Sequence, residues 1–358
     1  MPLGILQDVI NVDRLVRRAA GARFLVYLDQ SALSALVSEP ELELPLKRLR
    51  ALSESGSVLF LRSPAHVDET LLAPKALWER IDALSDELAT GIELRSVEDI
   101  EWAEIHAAAA AFVGTPPPAE EPWREAFRTD PQTPRDDLFT TMFGGSIRVR
   151  VKFEPDDWQI AEVEHEKAKE RPLTEVYAEL RTKGFTFEQM AEANLTELIR
   201  WKLPFVDPEF FRRQLATRHA RWASAADEDV LEPGSSWSRM MAFAIRSSQA
   251  KHLLERFPTL QDRAEEFASS EALRNMPTLA FPALLRAAIA NTPGRKAKES
   301  DGYDIQHLTL GLSRADVVTA DSGMAQLLRD YRLVPTTCDV YGAREIATMV
   351  TAVEERCG

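Results

Sequence analysis

The sequence predicts an α/β fold in which a parallel sheet is divided by a long and mostly helical insertion. Short, continuously apolar runs at 24–28 and 57–61 suit the buried strands of a parallel sheet, and a third run at 317–320 has the same character. Helical periodicity follows each run, and such alternation is typical of a three-layer domain with helices on both faces of the sheet. Between these runs, from about 71 to 290, helical patterns dominate. The two ends of the chain are therefore expected to form one domain.

The N-terminal part, residues 1–72, is predicted to alternate helices and strands. Its predicted elements, in order, are a helix at 5–20, a strand at 24–28, a helix that begins after Asp29, a helix at 46–52, a strand at 57–61 and a helix that begins at Ser63 and Pro64. This order of elements favours parallel rather than antiparallel pairing of the strands.

The insertion is predicted to span 73–290, and the α/β pattern returns in a C-terminal part at 291–358. Within the insertion, strict alternation of polar and apolar residues predicts one strand at 146–153. The predicted C-terminal elements, in order, are a polar loop at 291–300, a helix that begins after Asp304, a strand at 317–320, a helix at 323–331 and a helix at 343–356.

The composition indicates a globular protein of a reducing compartment. With 358 residues, of which 45% are hydrophobic, the chain is long and apolar enough for a packed core. Its two cysteines exclude a disulfide framework, and Asp8 and Asp13 interrupt the apolar residues that a signal peptide would need. No run of apolar residues is long enough to predict a membrane span. We therefore expect a cytoplasmic location and no membrane partner.

The formal charge of −14 opposes nonspecific binding of nucleic acid, because phosphate backbones are bound by cations that displace counterions. A nucleic-acid substrate would need local basic patches. Arg295, Lys296 and Lys298 form the predicted phosphate-binding group, with a solvated loop as the alternative. Basic and aromatic residues at 200–222 form a second candidate, although aromatic residues at helical spacing are more often part of a core.

Four acidic residues are candidates for one active site. Asp29 and Asp321 each directly follow an apolar strand, and open α/β sheets bind ligands at the carboxyl ends of their strands. Glu69 lies on the helix after the second strand, and Asp304 lies at the start of the helix before the last predicted strand. Converging carboxylates repel one another, and a divalent cation relieves that repulsion. Oxygen ligands favour Mg²⁺ or Mn²⁺, which can activate a water to attack phosphorus.

These four acids resemble the active site of the PIN-domain nucleases. Asp29, Glu69, Asp304 and Asp321 take the family's positions at the end of the first strand, on a following helix, at the beginning of a later helix and at the end of the next strand. The run from Asp304 to Asp321, DIQHLTLGLSRADVVTAD, is similar to the family's segment from its third acid to a Thr-x-Asp strand end.

The resemblance covers 24–72 and 300–335, and the length of the chain makes it similar to the larger bacterial PIN-like proteins. It implies cleavage of phosphodiesters, commonly in RNA, with Mg²⁺ or Mn²⁺ as the cofactor and a water held between carboxylates. The insertion at 73–290 is expected to choose the substrate. It also offers a surface for a protein partner or for a second copy of the chain.

Two other functions stay open from the sequence. A haloacid-dehalogenase-like phosphatase also begins with a strand-end Asp and carries a cap insertion, but that class usually needs a second Asp where this chain has Ser31. An inactive PIN-like protein that binds partners is the third hypothesis. Its acids would be remnants or helix caps, which Asp29, Asp304 and Asp321 could all be.

Overall fold

The computed structural model describes residues 24–70, 73–89, 93–94, 97–115, 127–128, 173–224, 236–298 and 300–357. The helix predicted at 5–20 and the strand predicted at 146–153 lie outside these ranges. The described strands are β1 (Phe24–Tyr27), β2 (Val58–Leu61), β3 (Glu93–Leu94), β4 (Phe127–Arg128), β5 (Val317–Ala320) and β6 (Asp339–Gly342).

Helices make up most of the described chain. They are α1 (Gln30–Ser38), α2 (Glu43–Glu54), α3 (Pro64–Thr70), α4 (Lys75–Ala89), α5 (Val97–Phe112), α6 (Leu173–Thr182), α7 (Phe187–Lys202), α8 (Pro208–Ser224), α9 (Ser236–Arg256), α10 (Thr259–Asp262), α11 (Ala264–Ser269), α12 (Glu271–Arg274), α13 (Pro277–Asn291), α14 (Asp301–Arg314), α15 (Ser322–Asp330) and α16 (Ile346–Cys357), with 3-10 turns at Pro40–Leu42 and Ala343–Glu345. None of the helices in the described ranges has the length and apolar character that crossing a membrane requires.

The main sheet has four parallel strands in the order β2-β1-β5-β6. This arrangement confirms the predicted α/β fold with a parallel sheet, and it joins strands from both ends of the chain. From β1 the chain proceeds to β2 on one side, whereas from β5 it proceeds to β6 on the other. The strand order therefore reverses between β1 and β5, and a crevice at the carboxyl ends of these two strands is where open α/β sheets bind their ligands.

Both faces of the sheet are covered by helices. Leu25 and Tyr27 of β1 point into one apolar cluster, which α13, α14 and α15 cover, whereas Phe24 and Val26 point into another, which α1, α2, α4 and α16 cover. Because neither face meets water, these strands consist of continuous apolar runs rather than alternating ones. The described helices and sheet thus form three layers.

The helical segment has an apolar core of its own, to which α5, α7 and α9 contribute. Helix α13 joins this core to the sheet, since Leu279 and Ala283 pack in the helical core while Ala280 and Leu285 pack against the sheet layers. A second connection is polar. Glu104 of α5 accepts a hydrogen bond from Arg314 Nη2 at 2.7 Å. Helices α4 and α13 both lie in the predicted insertion, yet both pack on the sheet.

Helix α14 packs unusually close to the sheet because it carries Gly311. A Cβ atom at this position would lie 2.9 Å from Cγ2 of Val318 and 3.2 Å from Cδ1 of Tyr27. These distances are shorter than van der Waals contact, so a larger residue would push the helix away from β1 and β5. The glycine therefore sets the distance between the sheet and the polar side chains of α14.

The sequence does not predict the edge strand β6. Its residues Asp339–Gly342 include an acid and a glycine, alternate between buried and half-buried positions, and form a run of only four residues. Such a run lacks the apolar continuity that marks the central strands. Its pairing with β5 is what assigns it to the sheet.

Candidate active site

Asp29 joins the carboxyl ends of β1 and β5. Thr319 donates from Oγ1 to Oδ1 of Asp29 at 2.8 Å, and the same hydroxyl accepts a hydrogen bond from the Asp29 amide at 2.8 Å. Asp29 also caps α1 by accepting from the Ala32 amide at 3.1 Å, and its Oδ2 accepts from the Ser31 hydroxyl at 2.6 Å. Burial raises the pKa of Asp29, although these hydrogen bonds act to lower it. The carboxylate is thus held in one orientation at the reversal of strand order.

Asp321 occupies the equivalent position at the end of β5. Its Oδ1 accepts from the Met324 amide at 2.6 Å and so caps α15, while Oδ2 lies 3.4 Å from Nζ of Lys298. The alternative reading of Asp29 and Asp321 as helix caps is therefore structurally correct. A capping carboxylate uses one oxygen for the helix, and its other oxygen can take a different partner, as Ser31 does at Asp29 and Lys298 does at Asp321. Capping therefore does not exclude a second role.

Asp304 is the candidate acid whose pKa is most clearly affected by the other three acids. Burial raises the pKa of Asp304 to about 8, with further contributions from the negative charges of Asp321, Glu69 and Asp29. The charges of the other three predicted acids therefore all act on Asp304. Helix α14 begins at Asp301, one turn earlier than the sequence predicts, so Asp304 lies in its first turn and is not its cap.

Glu69 contacts a histidine that lies one turn along α14 from Asp304. Oε2 of Glu69 is 3.0 Å from Nε2 of His307, whose side chain is buried. Burial alone would lower the pKa of His307, but the hydrogen bond and charge of Glu69 raise it overall, with help from Asp29 and Asp304. The sequence gives no signal for this pair, because its members are 238 residues apart.

Behind His307, a chain of polar contacts crosses the core of the sheet domain. Nδ1 of His307 lies 2.6 Å from the hydroxyl of Tyr27, and this hydroxyl lies 2.7 Å from Oγ of Ser63. The serine is 3.0 Å from Nδ1 of His66, whose Nε2 lies 2.6 Å from the Leu28 carbonyl oxygen. Burial raises the pKa of Tyr27, which keeps its hydroxyl protonated.

The carbonyl at the inner end of this chain fixes the direction of its hydrogen bonds. Leu28 can only accept, so His66 donates from Nε2. Burial, followed by the charge of His307, lowers the pKa of His66 to about 3, so the ring is neutral and its Nδ1 accepts. The Ser63 amide, at 3.0 Å, and the Ser63 hydroxyl are the donors to it. Ser63 then accepts from Tyr27.

The directions of the hydrogen bonds at the outer end of this series follow from the same rule. If Tyr27 donates to Ser63, its oxygen accepts from Nδ1 of His307, and His307 must also donate from Nε2 to Glu69. Both ring nitrogens then carry protons, and His307 is an imidazolium beside a carboxylate. This protonation state agrees with the raised pKa of His307.

The predicted basic residues lie beside Asp321 but are not equivalent. Arg295 donates from Nη2 to Oδ1 of the buried Asp301 at 2.6 Å, so this guanidinium already has a carboxylate partner. The Lys298 amide donates to the other oxygen of Asp301 at 2.8 Å, which fixes the loop, and the Lys298 side chain is about half exposed. Lys296 is exposed. Lys298 is therefore the predicted basic residue that contacts the candidate site.

The four predicted ligands offer carboxylate oxygens, which are the donors that hard divalent cations prefer. Burial raises the pKa of Asp304, and the charges of Asp321, Glu69 and Asp29 add to this effect. Within the ranges that the structure describes, no group of three or more histidine, cysteine or acidic side chains is arranged to hold a metal ion. Mg²⁺ in particular is often bound by only one or two carboxylates together with water and substrate phosphate.

Among the described side chains at 200–222, the aromatic residues make packing contacts, and Phe205 packs against the helical core. Trp201 and Phe210 meet edge to face with their centroids 5.9 Å apart, and the Arg200 guanidinium lies 5.7 Å from the Phe210 centroid. Arg200 also pairs with Asp207 at 3.3 Å. These contacts favour the packing interpretation of this segment over a stacking platform for bases.

Comparison with known proteins finds no relative of this chain. No protein-family model matches it. No curated protein and no solved structure is similar to it either.

Proposed function

We propose that the chain is a PIN-like, Mg²⁺- or Mn²⁺-dependent nuclease that hydrolyses phosphodiesters, with RNA as its substrate. The observation that carries this proposal is that Asp29 and Asp321 follow the neighbouring parallel strands β1 and β5, where the strand order reverses. The charges of both acids act on Asp304 in the first turn of α14. That edge of an open α/β sheet is where ligands bind.

The charge at this place supports a bound cation. Burial raises the pKa of Asp304, and the negative charges of Asp321, Glu69 and Asp29 raise it further. A divalent ion would relieve this repulsion, and carboxylate oxygens are the ligands that Mg²⁺ and Mn²⁺ prefer. Asp29, Asp304 and Asp321 would hold the ion, with Glu69 as the fourth candidate. When bound, such an ion lowers the pKa of its water and stabilises charge on the leaving oxygen.

The protein's own contribution is orientation. Thr319 holds the Asp29 carboxylate against α1, and the Met324 amide holds the Asp321 carboxylate at the start of α15. Neither side chain has to be ordered when substrate arrives, which reduces the entropic cost of binding.

The local charge distribution supports a phosphate-containing substrate. The chain is strongly acidic overall, with a formal charge of −14, yet an exposed lysine, Lys298, lies 3.4 Å from Asp321 at the crevice. A cation beside an acidic metal site is suited to a phosphate that bridges the two. RNA, rather than DNA, comes from the resemblance to the PIN-domain nucleases.

The test compares two site variants with a control on the same strand. Asp29→Asn and Asp321→Asn should abolish Mn²⁺-dependent cleavage of a fluorescent single-stranded RNA and weaken Mn²⁺ binding in calorimetry. Asp316→Asn is the control, because Asp316 directly precedes β5, at the opposite end of this strand from Asp321, and accepts a hydrogen bond from the Leu25 amide at 2.8 Å. The asparagine oxygen can still accept this bond, so we expect normal activity.

Unchanged cleavage in both site variants would contradict the assignment. Failure of the wild-type protein to bind millimolar Mn²⁺ would favour the partner-binding hypothesis. Trapping of a phosphoaspartate at Asp29 would favour the phosphatase.

A further inference from the structure

We propose that His307 is a positioning residue, which holds the Glu69 carboxylate in the crevice, and that the buried chain through Tyr27, Ser63 and His66 fixes the imidazole for this task. The proposal rests on the proposed function, since it deepens the role of one of its four acids. It requires only that Nε2 of His307 donates to Glu69.

Glu69 needs such support because, among the residues that the structure describes, His307 is the hydrogen-bond partner of its carboxylate. It lies in the last turn of α3, a helix of seven residues, and its side chain is about one-fifth exposed. A glutamate side chain has several rotatable bonds, and ordering it costs up to about 2 kcal/mol. The contact that orders its carboxylate is the one with Nε2 of His307, at 3.0 Å.

The imidazole of His307 has a fixed orientation because a strand residue and a second imidazole contact it on the side away from Glu69. Tyr27, which is fully buried in the central strand β1, contacts Nδ1 of His307 at 2.6 Å. The ring of His66 meets the ring of His307 edge to face, with the centroids 4.7 Å apart. Polar contact on one side and ring packing on the other leave His307 a single orientation.

The residues that position Glu69 lie on the same helix and strand as two of the other acids. Helix α14 presents Asp304 directly and His307 one turn later, so one face of this helix locates one carboxylate and supports another. Strand β1 likewise supplies Tyr27, and Asp29 follows two residues after the end of this strand. The positions of three acids are therefore set by β1 and α14 together.

A purely structural role accounts poorly for this series of buried hydrogen bonds. Burying a series of hydroxyl and imidazole groups costs free energy that well-packed apolar side chains would not. A structural network also has no reason to end at a partly exposed carboxylate. Here the inner end is a backbone carbonyl and the outer end is Glu69 in the crevice.

Two substitutions of His307 separate the contact at Nε2 from the contact at Nδ1. A glutamine amide at position 307 can reach the place of Nε2 and still donate to Glu69, whereas an asparagine amide reaches only the place of Nδ1. We expect His307→Gln to keep most of the Mn²⁺ affinity. His307→Asn should weaken Mn²⁺ binding and RNA cleavage by about 10- to 100-fold, as is usual for residues that orient metal ligands.

A double-mutant cycle tests whether His307 acts through Glu69. The variant Glu69→Gln/His307→Asn should bind Mn²⁺ no more weakly than Glu69→Gln alone, because the second change removes support from a ligand that is already lost. Tyr27→Phe should lower the affinity less than His307→Asn does. Its matched control is Tyr331→Phe, whose hydroxyl accepts from Asn291 outside the crevice at 3.2 Å.

Equal Mn²⁺ affinity of His307→Asn and His307→Gln would overturn the positioning role, and so would additive losses of affinity in the double-mutant cycle. The proposed function is tested separately, by Asp29→Asn and Asp321→Asn. A crystal structure of the metal-free His307→Asn variant provides a readout that needs no cleavage. A displaced Glu69 carboxylate supports the proposal, and an ordered carboxylate in its present place refutes it.

Discussion

Replacing Asp304 by Asn should stabilise the metal-free protein near neutral pH. The folded carboxyl has a pKa of about 8, whereas the ordinary value is 3.8. Between these two values the folded state retains a proton that the unfolded state has released, so stability falls as the pH rises from about 4 to about 8. Asparagine resembles the protonated carboxyl and does not titrate, so this part of the pH dependence should disappear.

The magnitude follows from the separation of the two pKa values. At pH 7 the shift from 3.8 to about 8 corresponds to at most about 4 kcal/mol, and water and salt at this partly exposed side chain reduce it. We expect Asp304→Asn to gain about 1 to 3 kcal/mol at pH 7 and nothing at pH 4. Mn²⁺ should offset most or all of this advantage. At 100 times its Kd, Mn²⁺ stabilises the wild type by about 2.7 kcal/mol, whereas the variant has lost a side chain that would bind the ion.

Urea unfolding followed by tryptophan fluorescence measures this effect at pH 4, 5.5, 7 and 8.5, first with EDTA and then with Mn²⁺. Asp316→Asn is the control for replacing a buried carboxyl outside the crevice. Parallel pH curves for the wild type and Asp304→Asn would refute the reasoning, as would a destabilised Asp304→Asn protein at pH 7 without metal.

Three further changes probe the neighbouring structure. Thr319→Val removes both hydrogen bonds to Asp29 and should cost about 1–3 kcal/mol in urea unfolding while also lowering the Mn²⁺ affinity. Gly311→Ala places a methyl group against Val318 and should cost about 1–3 kcal/mol, and an unchanged unfolding midpoint would contradict the close packing of α14. Lys298→Ala should raise KM for RNA and reduce the slope of log affinity against log salt by about 1, while kcat stays the same.

The central strands were predictable because they are buried on both faces. Continuous apolar runs mark β1, β2 and β5 to within a residue or two, and the acids after β1 and β5 could be placed at one edge from the general rule for open sheets. The edge strand β6 could not be predicted, since half-buried residues and a glycine carry no such pattern.

Side-chain partners across the sheet were beyond prediction from the sequence. Nothing local in the sequence says that the histidine of α14 meets a glutamate from the other end of the chain, or that the tyrosine of β1 lies between two imidazoles. A lone histidine in an apolar helix predicts a core residue, and His307 is indeed buried. The role proposed for His307 depends on contacts that exist only once β1, α3 and α14 are packed together.

The paired hydrogen bonds between Asp29 and Thr319 have a consequence for biosynthesis. These residues are 290 positions apart, so a ribosome that has made β1 works for about 15 to 60 s more, at 5 to 20 residues per second, before β5 exists. During this time β1 has β2 as a neighbour but an open edge on its other side. Two of the four acids are also missing from the growing chain. The proposed nuclease would therefore have no complete site, and could not cleave the messenger that encodes it, until its synthesis is nearly finished.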